Sequence, residues 1–363
     1  MMVQAGFGLV RRSALSSLMA VVCVLGLLGL GSGCDGWQRA APCAPALLEG
    51  EGFVEVRGGQ FWIEGQGQVR FAGTNYYPAL ETVQRGDLRA VEAIFDDFVA
   101  RGVSVVRIWA FNTDPDSSEV IHAAPGDIRE SGLRALDEVL AAASARKLRL
   151  VLTLSNHWGD YGGVDAYASW AGVSSRGDAL RSPRVRQWFG EYIEAVASRT
   201  NTVTGVAYRD DPTILGWDLM NEPRCPDCEP ALLVDFLVEM AQVLRRHDPN
   251  HLVGTGDEGF EGLHGADIGL LAVSGVFDWV SVHLWPHHSE PLSDASGSAD
   301  WSESRAVAKG RAMMARAAQL AARHGVPLLV GEAGWPAGAG TPLERSVILA
   351  AWQQEALDVG AGG

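Results

Sequence analysis

The sequence predicts an α/β fold in which parallel strands alternate with helices, and three observations point to it. Seven short apolar or β-branched runs begin near residues 69, 103, 148, 214, 252, 279 and 326, and each is followed by a helical or irregular segment. No Gly-x-Gly-x-x-Gly follows the first run, which speaks against a dinucleotide-binding sheet. Polar and aromatic residues follow nearly every run instead. This pattern is typical of a (β/α)8 TIM barrel, whose functional residues lie at the carboxyl ends of its strands.

The other elements can be justified in order along the chain. Residues 53–57 and 60–63 predict a hairpin that closes the bottom of the barrel. The apolar spacing of residues 88–101 predicts an amphipathic helix, and a proline suits the first turn of a helix over 183–199. Gly325 is well suited to cap the carboxyl end of a long alanine-rich helix. The further helices are predicted at residues 131–146, 231–247, 302–324 and 342–357.

The predicted barrel apparently lacks its eighth strand. The last helix ends near Leu357, and only six residues, 358–363, follow it where that strand is due. Either the sequence stops before the strand, or the barrel closes in another way. An open barrel exposes two strand edges, which is a liability for a soluble sheet.

Length and composition fit one large domain behind an export signal. The chain has 363 residues, 47% of them hydrophobic. Arg11 and Arg12 precede an uncharged apolar run over residues 14–30, and small residues then lead to Cys34. The segment resembles a bacterial lipoprotein signal with Cys34 as the lipidated residue. The alternatives are an ordinary cleaved signal peptide and an uncleaved membrane anchor. We therefore divide the chain into a signal (1–33), a linker (34–50) and the barrel (51–363).

The charge balance restricts the partners. The net charge is −15, and it becomes −17 without the signal, which contains two arginines and no acid. A strongly acidic protein binds phosphate backbones poorly, so we expect no nucleic-acid partner. A membrane would be reached only through a lipid at Cys34. We expect a monomer that is exported, either to the cell envelope or into the medium.

Cys225 and Cys228 form a Cys-x-x-Cys pair. Such a pair can be a redox centre, half of a zinc site or a local disulfide. No second Cys/His pair with suitable spacing is present in the sequence, and exported proteins favour disulfides. We therefore expect a disulfide that pins this loop, and no metal.

Two glutamates end buried-type strands. The apolar run from Ile214 leads to Asn221 and Glu222, and Pro223 stops the strand there. A second run from Leu328 leads to Glu332. A single glutamate at a strand end is weak evidence of function. Two of them on different strands of one barrel are expected to converge across its mouth.

With these motifs assembled, the chain resembles glycoside hydrolase family 5, and within it the endo-β-1,4-mannanases, from about Phe53 onwards. Asn-Glu-Pro alone indicates only a broad group of glycosidases, whereas its extension by Arg-Cys-x-x-Cys is more specific. The matching segments are residues 73–77, 105–112, 156–163, 221–225 with Cys228, 256–259, 283–286 and 331–334.

The resemblance implies roles for the site residues. Glu222 would be the acid/base and Glu332 the nucleophile of a retaining mechanism, which needs carboxyl groups about 5–5.5 Å apart. Arg107 would hold Glu332 charged, and Asn221 would bind the 2-hydroxyl of the sugar. His283 would belong to the hydrogen-bond network of the acid/base.

Further residues are predicted to contact the sugar, and no cofactor is expected. Trp285 would donate to the nucleophile, in a position where many relatives have tyrosine. Trp158 and Tyr76 are candidates for stacking against sugar rings. The remaining candidates are Asn156, Arg224 and Glu258.

Two alternatives to a β-mannan substrate remain open at this stage. One is an endo-β-1,4-glucanase of the same fold, because the sequence fixes contacts to the 2-hydroxyl poorly. The other is an inactive carbohydrate-binding lipoprotein that has lost its last strand. The presence of both glutamates argues against the second alternative, whereas the abrupt glycine-rich end argues for it or for an incomplete sequence.

Overall fold

The computed structural model describes residues 47–259, 274–286, 302–335 and 342–363. The predicted signal peptide, the lipidation residue Cys34 and most of the predicted linker lie outside these ranges. Within them, no helix has both the length and the apolar character that a membrane span requires. The strands are β1 (Val54–Arg57), β2 (Gln60–Ile63), β3 (Gly67–Val69), β4 (Gly73–Asn75), β5 (Val105–Trp109), β6 (His122–Ala124), β7 (Asp127–Ile128), β8 (Arg149–Thr153), β9 (Ile214–Asp218), β10 (Leu252–Gly254), β11 (Val280–Leu284) and β12 (Leu328–Ala333).

Helices follow the barrel strands on the outside. They are α1 (Ala79–Gln84), α2 (Leu88–Ala100), α3 (Glu130–Ser144), α4 (Gly163–Ala171), α5 (Arg176–Arg181), α6 (Pro183–Ala197), α7 (Pro230–His247), α8 (Glu303–His324) and α9 (Pro342–Asp358), with a 3-10 turn at Tyr208–Asp210. Helix α2 begins where the Asp87 side chain accepts from the Ala90 N–H, as expected of a capping residue. Helix α8 ends at Gly325 with a φ of 67°, which confirms the predicted glycine cap.

The predicted α/β barrel fold is confirmed, with seven parallel strands, β4, β5, β8, β9, β10, β11 and β12, at or close to the predicted positions. Strands β10, β9, β8, β5 and β4 form one parallel sheet in that order, and β11 and β12 form a parallel pair. Backbone bonds connect the two sheets: the Asp278 N–H donates to Val253 O at 2.8 Å, and the His283 N–H donates to Glu258 O at 3.0 Å. The carboxyl ends of these strands therefore meet at one mouth.

The last residues of the chain lie between β12 and Phe71, in the segment that precedes β4. Gly362 N–H donates to Leu328 O at 2.8 Å, and its carbonyl accepts from the Phe71 N–H at 3.0 Å. Val330 N–H donates to Gly363 O at 2.8 Å. Residues 361–363 thus occupy the lower part of the position that an eighth strand takes in the barrel.

A three-stranded antiparallel sheet of β1, β2 and β3 closes the bottom of the barrel. Its Phe61 and Ile63 share a buried cluster with the inward-facing Val105, Val151 and Leu215. This agrees with the predicted plug. The structure also corrects the start of the first barrel strand. The strand expected to begin near residue 69 is divided between β3 and β4.

The predicted linker needs a correction at its end. Leu48 is 2% exposed and belongs to the cluster under the barrel. The Gln66 side chain accepts from the N–H groups of Glu49 and Gly50 at 3.1 and 3.2 Å. Residues 47–50 are therefore part of the fold, because apolar burial and these bonds fix them on the plug.

Candidate active site

The chain beyond β9 brings Glu222 to the mouth of the barrel. The Asn221 N–H donates to Ser155 O at 2.8 Å, and the Glu222 N–H donates to Gly256 O at 2.9 Å. Glu222 has a φ of 49°, which is uncommon for a residue with a side chain. Strain of this kind persists at functional sites where the surroundings hold it, and the two neighbouring loops do so here.

Both oxygens of the Glu222 carboxyl group have a donor. The Nδ1 atom of His283, on β11, lies 2.9 Å from Oε1. The Nε1 atom of Trp158, in the loop after β8, donates to Oε2 at 2.5 Å. Since Glu222 is only 4% exposed, these two contacts replace most of its hydration.

Glu332 lies next to the last residue of β12, in different surroundings. Arg107 Nη1 donates to its Oε1 at 2.8 Å, and Trp285 Nε1 donates to its Oε2 at 3.0 Å. Burial alone raises the pKa of Glu332, but the positive charges of His283 and Arg107 and the bond from Trp285 outweigh it and hold the pKa below its ordinary value. Glu332 therefore stays ionised to a lower pH than an ordinary glutamate.

The two carboxyl groups face each other. One oxygen of Glu222, one oxygen of Glu332 and a ring nitrogen of His283 all lie within 4.8 Å of one another. Among the described residues this is the group whose donor atoms are placed to hold a metal ion. Arg107 already neutralises Glu332 there, so the arrangement fits acid–base chemistry between two carboxyl groups better than a cation site.

Arg107 connects the residues around Glu332. Its Nε donates to Asp218 Oδ2 at 2.7 Å and its Nη2 to Asn221 Oδ1 at 3.1 Å. Nη1 also lies 3.3 Å from Asn75 Oδ1. Because Arg107 is nearly buried, at 4% exposure, these partners fix the plane of its guanidinium group.

Asn156 links the loop after β8 to the segment after β9 that contains Glu222. Its Oδ1 accepts from Asn221 Nδ2 and from the Trp158 N–H, both at 3.1 Å. Its Nδ2 donates to Asp160 O at 3.0 Å. The structure thus places Asn156 behind Asn221 and Trp158 as their support.

Arg224 and Glu258 form an ion pair beside Trp158. Arg224 Nη2 donates to Glu258 Oε1 at 2.7 Å, and Nε donates to Oε2 at 2.5 Å. The guanidinium group lies 4.9 Å from the centre of the Trp158 ring, within cation–π range. Cys225 and Cys228, joined in a disulfide, follow directly.

His283 carries a positive charge over a wider pH range than a free histidine. Burial lowers its pKa, but the charge of Glu332 and the hydrogen bond and charge of Glu222 outweigh burial and raise the pKa above its ordinary value. His283 thereby contributes a positive charge next to both glutamates. This charge favours the ionised form of Glu332.

The prediction for Tyr76 requires a correction. Its ring packs 6.3 Å from Phe95 and 6.2 Å from Phe98 of helix α2. The neighbouring Tyr77 is 51% exposed and tilts over Trp109 at 5.2 Å. Consecutive side chains after β4 point to opposite sides, so the core takes Tyr76 and the ring available for stacking is that of Tyr77.

Two buried carboxyl groups of the site were missed by sequence reasoning. Asp218 contacts Arg107, and Asp257 accepts from the Gly259 N–H at 2.6 Å. Burial, with the nearby charges of Glu258 and Glu222, raises the pKa of Asp257 to about 7 against the bond from Gly259. Asp218 could have been recognised as an acid at the end of an apolar strand. Asp257 was harder to recognise because Glu258, directly beside it, is also acidic and was chosen instead.

Comparisons with known proteins agree with this geometry. Residues 51–346 match the family model described as GH family 5 beta-mannosidase-like. The chain is 33% identical over 328 residues to a rice (Oryza sativa subsp. japonica) protein named mannan endo-1,4-beta-mannosidase 4, covering 84% of this chain and 68% of that protein. The chain spans 53% to 68% of the length of the plant relatives that it matches.

Comparison with solved structures also relates the chain to mannanases. The endo-1,4-beta-mannanase from Rhizomucor miehei superposes with a TM-score of 0.74 at 28% identity, covering 85% of this chain and 88% of that one. The endo-1,4-beta-D-mannanase from Thermotoga petrophila gives a TM-score of 0.72 at 27% identity, with 81% and 87% covered. The chain therefore belongs to glycoside hydrolase family 5, in its beta-mannosidase-like group.

Proposed function

We propose that this protein is a retaining endo-β-1,4-mannanase that cleaves internal bonds of mannan, galactomannan or glucomannan. The observation that carries the proposal is the pair Glu222 and Glu332, whose oxygens lie within 4.8 Å of each other in unlike surroundings. An inverting enzyme needs a separation of about 6.5–9.5 Å to admit a water between the carboxyl groups. The shorter separation supports direct attack by a carboxylate.

In the first step, Glu332 attacks the anomeric carbon while Glu222 gives its proton to the glycosidic oxygen. The glycosidic C–O bond breaks, a mannosyl ester forms on Glu332, and the leaving sugar departs with its new hydroxyl group. His283 and Trp158, which contact both oxygens of Glu222, stabilise the carboxylate that remains.

In the second step, Glu222 takes a proton from water, and the resulting hydroxide attacks the anomeric carbon and releases Glu332. Arg107 and Trp285, which donate to Glu332, stabilise it as a leaving carboxylate. Asn221, held by Arg107 and Asn156, is positioned to bind the 2-hydroxyl. That bond strengthens as positive charge develops on the sugar.

The mannan preference is supported by the names of the relatives and structural neighbours, since their printed activities are mannanases. Sugar contacts beyond the reacting ring are proposed for Trp158, Tyr77, Arg224 and Glu258. Trp158 and Tyr77 offer ring faces, and the Arg224–Glu258 pair offers hydrogen-bonding groups next to the acid/base.

We also propose that the protein is exported, lipidated at Cys34 and monomeric. Export and lipidation are supported by the basic, apolar and small-residue pattern that precedes Cys34. Metabolic labelling with a fatty acid, compared between the full chain and its Cys34→Ser variant, tests the lipidation. Equal label in the two proteins contradicts it.

The decisive experiment measures reducing-end release from galactomannan and from a soluble cellulose derivative side by side. We expect release from galactomannan, with the β-anomer appearing first when short mannan chains are followed by NMR. Release from cellulose alone overturns the mannan assignment. Initial release of the α-anomer overturns the retaining mechanism.

A further inference from the structure

Four residues before Glu222, a buried carboxyl group contacts the site but takes no part in the mechanism above. Asp218 ends β9 with its side chain 2% exposed, and its Oδ2 accepts from Arg107 Nε at 2.7 Å. Arg107 lies on β5, and β8 separates the two strands in the sheet. The pair therefore connects two strands that are not hydrogen-bonded to each other.

Asp218 reaches the reacting groups through Arg107. The Nη1 and Nη2 atoms of this arginine donate to Glu332 at 2.8 Å and to Asn221 at 3.1 Å. A guanidinium group is planar and rigid, so a partner that fixes Nε also fixes the directions of the other two nitrogens. The position of Asp218 thus sets where Arg107 holds the nucleophile.

The charge of Asp218 also acts on Glu332. In the described part of the chain, its second oxygen, Oδ1, accepts no hydrogen bond from protein atoms. Arg107 is therefore the group that compensates this charge, and it shares its single positive charge between Asp218 and Glu332. The two negative charges repel each other, so each carboxylate offsets part of the stabilisation that Arg107 gives to the other.

We propose that Asp218 is a positioning residue, which aligns Arg107 with Glu332 and Asn221. Its negative charge also offsets part of the positive charge of Arg107, so Glu332 stays more nucleophilic than it would be beside Arg107 alone. The proposal rests on the assignment of Glu332 as the nucleophile. A carboxylate that is held less tightly by a cation is the more basic one, and it attacks more readily.

Glu332 faces charged groups from four elements. These are Arg107 on β5, Glu222 after β9, Glu258 after β10 and His283 on β11. Asp218 adds a further negative charge, which is separated from Glu332 by the guanidinium group of Arg107. Replacing it changes the balance without touching any group in contact with the substrate.

Asp218→Asn separates charge from geometry, because asparagine keeps an oxygen that can accept from Arg107 Nε. Arg107 then acts on Glu332 alone, so the acid limb of the kcat/KM profile on mannan oligosaccharides moves to lower pH. We expect kcat to fall about tenfold and KM to stay within twofold of wild type. Asp218→Glu retains the charge and keeps the acid limb where it is in the wild type.

The matched control is Asp137→Asn on helix α3. Asp137 is fully buried and pairs with Arg199 at 2.7 Å, and within the described ranges the ion-pair partners of these two residues do not include Glu222 or Glu332. The Asp137→Asn substitution is expected to lower the midpoint of thermal unfolding and to leave the acid limb of the kcat/KM profile unchanged. A folded Asp218→Asn protein with the wild-type acid limb, or with kcat within twofold of wild type, overturns the proposal.

A covalent probe distinguishes this failure from a failure of the proposed function. A 2-deoxy-2-fluoro-mannosyl fluoride traps the ester, and peptide mass spectrometry identifies the labelled residue. Label on Glu332 in the wild type together with unchanged rates of labelling against pH in Asp218→Asn and Asp218→Glu rejects only the role of Asp218. No label on Glu332 rejects the nucleophile assignment itself.

Discussion

The indole N–H of Trp158 donates to Oε2 of Glu222 at 2.5 Å. A residue of the loop after β8 thus contacts directly the carboxyl group of the segment after β9. In the proposed mechanism, Glu222 becomes a carboxylate when it gives up its proton, and a donor at Oε2 stabilises that product. The contact therefore belongs to the chemical step as well as to the binding surface.

Trp158→Phe removes this donor and keeps an aromatic ring for stacking. A hydrogen bond to a charged group contributes about 1.5–3 kcal/mol, so we expect kcat on mannan oligosaccharides to fall by about 10- to 100-fold. KM should stay within about threefold. Trp188→Phe on α6 is the control, since Trp188 also lies under an arginine, Arg184. A Trp158→Phe enzyme with unchanged kcat would remove Trp158 from the acid/base machinery.

The two glutamates should respond differently to rescue by azide. Glu332→Ala should lower turnover by about four orders of magnitude without unfolding the protein. Azide should then restore activity on an aryl mannoside by inverting attack, which yields the α-mannosyl azide. Glu222→Ala should still form the ester from a substrate with a good leaving group, and azide should give the β-mannosyl azide. Circular dichroism checks the fold, and products of the opposite anomeric form would exchange the two assignments.

His283 should set the acid limb of the activity profile. Its positive charge lowers the pKa of Glu332, so the ionised nucleophile persists to a lower pH in the wild type. In His283→Gln that charge is absent, and the acid limb of kcat/KM should move to higher pH. The direction is opposite to that expected for Asp218→Asn. A downward shift in His283→Gln would contradict this electrostatic account.

The strand pattern allowed the meeting of Glu222 and Glu332 to be predicted because it reports burial. Both glutamates lie at or beyond the carboxyl ends of strands that contain buried apolar residues, and parallel strands bring these ends together. The pattern could not distinguish Tyr76 from Tyr77, since the core around Phe95 and Phe98 selects one of two adjacent rings.

Contacts that cross the barrel were beyond the reach of sequence reasoning. The bond between Asp218 and Arg107 joins residues 111 positions apart, and no local period records it. The position of residues 361–363 between β12 and Phe71 depends on similar pairing at long range. Helix caps and the plug were easier to predict because their partners lie close in sequence.

Asp257 should make the protein less stable as the pH rises. Its pKa is raised to about 7 in the folded protein, whereas an unfolded aspartate titrates near 3.9. The folded state therefore holds a proton that the unfolded state has lost between these values. The stabilisation is fully present below about pH 4 and is lost as the pH rises through about 7.

Asp257→Asn should abolish this pH dependence. Asparagine keeps an oxygen for the Gly259 N–H, which Asp257 accepts at 2.6 Å, and it carries no charge to bury. We expect the variant to be about 2–4 kcal/mol more stable than wild type at pH 8 and equally stable at pH 4, in urea unfolding. Asp137→Asn should behave in the opposite way. Burial raises the pKa of Asp137, but hydrogen bonds from Arg199, Thr202 and Tyr208 outweigh burial and lower the pKa. Its destabilisation should be largest at pH 8 and shrink as the pH falls. Equal effects of Asp257→Asn at both pH values would show that Asp257 is ionised throughout.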